Sequence, residues 1–167
     1  KVIAFLTNMG HTVYDCTVDT GNQSQVLNGI VKKCNSHKVD LDVSIHFNSG
    51  ANRPYKDGVT TGVEVFCYDP KSTNAVNAAN RIANGIENIG FKNRGVKYRR
   101  DLAVLANTNA QALLIEVCFV DDGDDADLYR KNTDRIAKAI AEGITGNSVV
   151  IPSEIPKPAT GDGGVYR

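Results

Sequence analysis

The apolar run over residues 112–119 constrains the fold of this chain more than any other feature. Its eight residues read Ala-Leu-Leu-Ile-Glu-Val-Cys-Phe and include one charged side chain, that of Glu116. A short run that is apolar on both faces is typical of a strand that is covered on both sides, as in a parallel sheet between two layers of helices.

Further strand-like and helix-like segments alternate along the sequence. Strands are predicted over residues 12–16, 41–47, 63–68, 102–105 and 112–119, and helices over 1–9, 24–35, 73–89 and 133–146. Ser24 and Thr133 are the predicted N-caps of two of these helices. The alternation predicts an α/β fold with a largely parallel, twisted sheet and helices on both faces. Because the first helix has no N-cap and no element before it, we expect the domain to be truncated at the N-terminus.

Length and charge limit the classes of function. The 167 residues suit one domain plus a tail, and we place a catalytic domain over 1–147. Residues 148–167 are rich in proline and glycine, which predicts a linker towards a further module. The 19 basic and 19 acidic residues cancel, so charge gives no reason to expect a nucleic acid partner. No apolar run approaches the roughly 18 residues that a membrane span needs, so no membrane insertion is expected.

The spacing of the cysteines does not indicate a structural zinc site or a thioredoxin-type redox site. Cys16, Cys34, Cys67 and Cys118 are far apart in sequence and form no C-x-x-C motif. We expect them to be buried free thiols, which is typical of a protein made in the reducing cytoplasm.

Two residues are the main candidates for chemistry. His46 and Asn48 lie where the strand 41–47 runs out into a loop, and ligands of α/β proteins gather at the carboxyl ends of strands. His46 is a candidate metal ligand or a satisfied core histidine. Glu116 is a candidate general base or a glutamate bonded to a neighbouring arginine, because a carboxylate inside an apolar strand needs a partner.

Two other charged features remain open at this stage. Glu64 alternates with valines and can point either at the site or at solvent. The basic cluster over residues 94–100 is either a solvated face or a lip that holds a carboxylate-bearing ligand. The acidic residues 121–127 do not match a calcium-binding loop, and are expected to open a helical turn.

Together these motifs resemble a known family. The segment 44–50, Ser-Ile-His-Phe-Asn-Ser-Gly, is similar to the H-x-N signature of zinc-dependent N-acetylmuramoyl-L-alanine amidases, which include phage endolysins and bacterial autolysins. Residues 61–66 resemble the next strand of that family, 93–97 a loop before a strand, and 112–120 the strand with its catalytic glutamate. The motifs occur in the family's order over about 1–146.

The resemblance implies a set of roles. In that family zinc is held by a His, a Glu and a second His; His46 matches the second histidine and Glu116 the catalytic acid/base. The other two ligands are expected before Lys1. Asn48 and Arg94 are candidate substrate contacts. The implied substrate is peptidoglycan, cut between N-acetylmuramic acid and L-alanine of the stem peptide.

The resemblance also implies where the protein acts, and alternative functions remain open. The protein is expected to be made in the cytoplasm and to act on the bacterial cell wall after secretion or lysis, with a C-terminal wall-binding domain. One alternative is a non-catalytic peptidoglycan-binding module with a degenerate amidase fold, and another is a zinc peptidoglycan carboxypeptidase. A nucleotide-binding α/β domain is disfavoured because no Gly-rich phosphate loop follows a strand.

Overall fold

Four strands form one mixed sheet at the centre of the molecule. The computed structural model describes residues 1–149. The strands are β1 (Asp42–Asn48), β2 (Val63–Cys67), β3 (Asn93–Tyr98) and β4 (Ala112–Phe119). The helices are α1 (Val2–Asn8), α2 (Gln23–Asn35), α3 (Thr73–Glu87), α4 (Ala103–Asn107) and α5 (Gly123–Thr145).

The sheet has the order β1-β4-β2-β3. β1 pairs with β4 and β2 with β3 in parallel, whereas the central pair β2 and β4 is antiparallel. Two of the three pairings are therefore parallel, and the predicted α/β class is confirmed. The carboxyl ends of β1 and β4 meet the amino ends of β2 and β3 at one edge of the sheet.

Helices cover the two faces of this sheet unequally. On one face α3 and α5 pack on alternate residues of β2 and β4, among them Val65, Ile115 and Val117, which are fully or almost fully buried. α3 and α5 approach closely at Gly143, where an added Cβ would lie 2.4 Å from the Cγ1 of Ile82. On the other face Leu114 and neighbouring apolar residues pack on the short α4 and on α2. This second face carries the charged residues described below.

Two predicted strands are wrong. Residues 12–16 form no strand, although their composition favours one, because no strand among residues 1–149 lies beside them to complete a ladder. They and β1 line a groove of about 840 Å³ instead. Residues 102–105 belong mainly to α4, in which Val104 and Leu105 are buried against Leu114. A short apolar run does not distinguish a strand from a helical turn.

The helix starts also differ from the prediction. Asn22, not Ser24, caps α2, because its side chain accepts a hydrogen bond from the N–H of Gln25 while the Gln25 side chain bonds back to Asn22. The last helix begins ten residues before Thr133, with Asp122 as its cap. A break in helical geometry at Asn132 (φ −130°, ψ 21°) explains why the sequence pattern restarts there.

All four cysteines are free thiols. Cys67 and Cys118 are buried as predicted, and burial raises their pKa values to about 11 and about 12. Cys16 and Cys34 are only partly buried, contrary to the prediction. The segment that carries Cys16 is not a strand of the sheet, and Cys34 lies on α2, which has no fully buried residue. The predicted linker lies almost entirely outside the described residues. None of the helices within residues 1–149 has the length and apolar character needed to cross a bilayer.

Candidate functional site

Three ionisable residues form a row across the second face of the sheet. His46 of β1 is the register partner of Glu116 of β4, and Glu116 is the register partner of Glu64 of β2. Directly opposed residues on antiparallel strands, such as Glu116 and Glu64, have Cβ atoms about 4.5–5.5 Å apart. The row lies near the carboxyl end of β1 and β4, where the sequence placed the candidate site.

Glu116 occupies the middle of the row without a partner for one of its carboxylate oxygens. Within the described part of the chain, Oε2 of Glu116 is the one buried side-chain polar atom that has no hydrogen-bond partner. Burial raises the pKa of Glu116, and the nearby negative charge of Glu64 raises it further. A partly buried carboxyl group that has an unpartnered oxygen and a pKa above its usual range is suited to exchange protons with a ligand.

Glu64 has the opposite environment. It is 5% exposed, and its carboxylate accepts hydrogen bonds from Nδ2 of Asn48 (2.7 Å), Nε of Arg94 (2.8 Å) and Nζ of Lys97. Burial by itself would raise the pKa of Glu64, but the bonds from Lys97 and Arg94 outweigh it and lower that pKa. The two glutamates therefore lie side by side with pKa values shifted in opposite directions, an arrangement typical of acid/base sites.

His46 lies at the outer end of the row, on the strand β1. Its side chain is accessible at the surface, and its Nε2 is 2.7 Å from Oγ of Ser44 on the same face of the strand. The surrounding protein lowers the pKa of His46, which favours the neutral imidazole. A neutral imidazole is the form that binds metal ions.

The described residues do not contain a complete metal site. No group of three or more His, Cys, Asp or Glu side chains among residues 1–149 is arranged to hold a metal ion. A catalytic zinc site needs three protein ligands and a water. His46 supplies one candidate ligand, and the unpartnered oxygen of Glu116 lies beside it.

Two residues of the basic cluster 94–100 contact the site instead of forming only a solvated face. Arg94 and Lys97 both bond to Glu64, and the guanidinium carbon of Arg94 lies 5.1 Å from the centre of the Phe119 ring. Farther along, Arg99 pairs with Asp101 at 2.5 Å and Arg100 pairs with Asp69. Residues 93–98 form a strand and not the loop suggested by the resemblance, and this strand presents Arg94 and Lys97 to the site.

The loop over residues 49–62 is held in place by the acidic segment. Asp121 accepts hydrogen bonds from the backbone N–H groups of Gly50, Ala51 and Asn52, and Asp124 from those of residues 57 and 58. Buried Asp125 accepts bonds from the N–H of Gly62 and the N–H of Phe119. These carboxylates therefore act as anchors of the loop beside the site, besides opening α5 as predicted.

Comparison with known proteins gives the family. The sequence profile described as N-acetylmuramoyl-L-alanine amidase matches residues 1–146, which is most of the chain. This chain belongs to the N-acetylmuramoyl-L-alanine amidase family. Residues 1–146 are accordingly called the amidase domain from here on.

The chain is similar to both uncharacterised and named relatives. It is 33% identical to an uncharacterised protein of Clostridium perfringens over 149 residues, which are 89% of this chain and 43% of the relative. It is 30% identical to the endolysin of Bacillus phage SPP1, over 96% of this chain and 62% of that protein. The chain thus spans less than half the length of the first of these relatives.

Solved structures share the fold. The catalytic domain of the CD27L endolysin, which targets Clostridia Difficile, matches with a TM-score of 0.75 and 27% identity, over 89% of this chain and 82% of that one. The amidase AmiC2 of Nostoc punctiforme matches with a TM-score of 0.67 and 28% identity, over 87% of this chain and 77% of that one.

The amidase domain brings together all four residues that the sequence singled out. His46 and Glu116 are register partners, and Asn48 and Arg94 both reach Glu64. Sequence reasoning left the orientation of Glu64 open and did not find its role as the common partner. The signal was present, because a charged residue between two buried valines on a strand needs a compensating charge.

Proposed function

We propose that this protein is a peptidoglycan hydrolase that cuts the amide between the lactyl group of N-acetylmuramic acid and L-alanine of the stem peptide. The observation that carries the proposal is the buried, unpartnered carboxylate oxygen of Glu116, beside His46 on one face of an amidase-family sheet. The family membership indicates which bond is cut, and the row of ionisable side chains includes a carboxyl group, that of Glu116, which can transfer a proton.

Glu116 is the general acid/base in this proposal. The carboxylate of Glu116 takes a proton from the attacking water, whose oxygen bonds to the amide carbon. The same carboxyl group then gives the proton to the leaving nitrogen of L-alanine as the carbon–nitrogen bond breaks. The raised pKa of Glu116 favours both halves of this cycle, because the group then holds and releases a proton at a pH closer to neutrality.

Asn48 and Arg94 are proposed to contact the substrate. The Asn48 amide nitrogen carries two hydrogens and gives one of them to Glu64. Arg94 bonds to Glu64 through Nε, which leaves its terminal NH₂ groups for a ligand. Amide and guanidinium donors suit the carbonyl and carboxylate oxygens of a stem peptide.

Zinc is a proposed cofactor that the described residues cannot hold alone. The family resemblance makes His46 one of three ligands and places a His and a Glu before Lys1. When bound, such an ion polarises a carbonyl and lowers the pKa of a bound water. Residues 1–149 present no group of three such ligands, so His46 alone does not form the site.

A zinc titration tests this assignment. We expect the 167-residue chain to bind zinc weakly and the full-length protein to bind it tightly. In the full-length protein, His46→Ala should lower the affinity by more than the roughly tenfold to hundredfold typical of losing an outer hydrogen-bonding partner. His37→Ala is the control, since His37 stacks on Tyr14 with ring centres 3.7 Å apart. Equal zinc affinity of the His46 and His37 variants contradicts a ligand role for His46.

A non-catalytic role is the second candidate. The incomplete ligand set of the described residues favours a peptidoglycan-binding module with a degenerate amidase fold. The retained carboxylate of Glu116 favours the enzyme, because a binding module gains nothing from a buried acid without a partner.

The wall is the proposed place of action. We propose that peptidoglycan is the partner, that the protein is made in the cytoplasm and secreted or released at lysis, and that residues 148–167 link the amidase domain to a wall-binding module. Among the relatives, one is a phage endolysin and another is an N-acetylmuramoyl-L-alanine amidase of Nostoc punctiforme.

Product analysis tests the reaction. We expect the full-length protein to release intact stem peptides from purified sacculi, with new L-alanine amino termini that are detected by end-group labelling and mass spectrometry. Release of a terminal D-alanine would indicate a carboxypeptidase. Binding to sacculi without any released peptide would indicate the anchoring module.

A further inference from the structure

The hydrogen bond between Asn48 and Glu64 spans a strand to which neither residue belongs. β4 lies between β1, which ends at Asn48, and β2, which carries Glu64. Strands are about 4.8 Å apart, so the backbones of β1 and β2 are separated by about 10 Å. The two side chains close this gap with a bond of 2.7 Å. They therefore form a bridge over β4, on the face that carries Glu116.

Both ends of the Asn48–Glu64 bridge are fixed. The side-chain oxygen of Asn48 accepts the N–H of Ser49 at 2.8 Å, and its backbone carbonyl accepts the N–H of Val120 at 2.9 Å. The pairing of β1 with β4 shifts register between His46 and Asn48, so that Asn48 is aligned with Phe119 at the end of β4.

At the other end the Glu64 carboxylate is held by two cations. Arg94 and Lys97 bond to the same oxygen, Oε2, and the other oxygen, Oε1, is left for Asn48. Because Glu64 is 5% exposed, its position is set by these three donors and not by water. Charge-assisted bonds of this kind are stronger than bonds between neutral groups.

The bridge adjoins the acid/base of the proposed reaction. Glu64 is the register partner of Glu116, so the Glu64 side chain borders Glu116 on the side away from His46. A carboxylate that shuttles a proton must stay within hydrogen-bond reach of both the water and the leaving nitrogen. Glu116 has an unpartnered oxygen, so surrounding side chains must define where that oxygen points.

We propose that Glu64 is a positioning residue, which confines the Glu116 side chain through its bridge to Asn48 across β4. This inference rests on the proposed function of Glu116. It assigns Glu64 no contact with the substrate and no proton transfer of its own. A positioning residue affects the chemical step more than substrate binding, and kcat is therefore the quantity that should change.

The test is a double-mutant cycle in the full-length protein on a soluble muramoyl peptide. We expect Glu64→Gln and Asn48→Ala each to lower kcat by about tenfold to a hundredfold. KM should stay within about threefold of wild type in Glu64→Gln but rise in Asn48→Ala, because Asn48 is also a proposed substrate contact, so kcat is the quantity that reports on the bridge. Glutamine has one acceptor oxygen in place of two and cannot serve both Asn48 and the two cations. Both changes therefore disrupt the same bridge, and the double variant should be no slower than the slower single variant. Glu87→Gln is the matched control, since Glu87 also accepts a side-chain amide bond, from Asn93 at 3.1 Å, but lies at the end of α3.

Each outcome has one meaning. The positioning role of the bridge is overturned if the losses in kcat of the two single variants multiply in the double variant. It is also overturned if Asn48→Ala has the wild-type kcat. Asn48→Ala leaves the ion pairs of Glu64 intact, so it decides the question if Glu64→Gln fails to fold by circular dichroism. If Glu116→Gln keeps wild-type activity, the proposed acid/base role of Glu116 fails instead. If Glu116→Gln is inactive and both bridge variants are fully active, only the positioning role fails.

Discussion

Glu116→Gln is expected to lower the rate of amide hydrolysis by about 10²–10⁴-fold while the protein stays folded. Glutamine has nearly the same size and shape as glutamate, so it fits the same site on β4. It cannot take a proton from water or pass one to the leaving nitrogen. The measurement is kcat of the full-length protein, in the same product assay that detects new L-alanine amino termini.

The same substitution should not destabilise the protein. Burial raises the pKa of Glu116 in the folded state, so the ionised group opposes folding as the pH rises above the pKa of the unfolded chain. Glutamine removes this charge, and the free energy of unfolding at pH 7 should stay equal or rise. A loss of activity together with a loss of stability would indicate that Glu116 is mainly structural.

Exposed glutamates provide the control for this experiment. Glu87→Gln makes the same chemical change at the end of α3, far along the chain from β4, and should leave kcat within about twofold of wild type. Near wild-type hydrolysis by Glu116→Gln would falsify the acid/base role of Glu116.

Asp125→Ala is expected to cause the largest loss of stability. Asp125 is fully buried and accepts hydrogen bonds from the N–H groups of Gly62 (2.9 Å) and Phe119 (2.8 Å). Alanine leaves both donors buried without partners, at a cost of about 1–3 kcal/mol each, so the free energy of unfolding should fall by about 3 kcal/mol. Urea unfolding of the 167-residue chain, followed by circular dichroism, measures this change.

Asp134→Ala is the matched control on the same helix. Its carboxylate pairs with Lys1 at 2.6 Å, but 77% of its side chain is exposed. An exposed ion pair contributes little, and the free energy of unfolding should change by less than about 1 kcal/mol. Equal losses in the Asp125 and Asp134 variants would contradict the anchoring role of Asp125.

Local patterns in the sequence predicted the main strands because those strands are buried on one or both faces. β4 is an apolar run, and β2 alternates around Glu64, so each has a pattern that does not depend on other segments. Residues 12–16 have a similar composition without being a strand, because strand formation also requires a neighbour. Side-chain composition alone does not show whether a neighbour exists.

β3 was missed for the opposite reason. Its residues 93–98 are largely polar, and the sequence suggests a solvated basic face. Their strand structure depends on parallel pairing with β2, and the position of Arg94 and Lys97 depends on a carboxylate about 30 residues away. Non-local pairing of this kind leaves no periodic signal in the segment itself.

The sequence predicted the two main residues of the candidate site, but not the hydrogen bonds between its side chains. His46 and Glu116 stand out because a histidine at a strand end and a carboxylate within an apolar strand are both unusual. The bridge between Asn48 and Glu64 was not visible, because it depends on β4 lying between β1 and β2. Strand order is a property of the whole sheet.

The anchoring of the loop 49–62 has a consequence for how the proposed substrate would reach the site. Asp121, Asp124 and Asp125 tie three separate parts of this loop to the junction of β4 and α5. Opening the loop would break several buried or charge-assisted hydrogen bonds at once. The loop is therefore a rigid border of the site and not a lid that opens and closes. Under the proposed function the substrate is a strand of an intact wall, which a small closing flap cannot enclose. Docking onto a preformed surface, without a gating step, suits that proposed substrate.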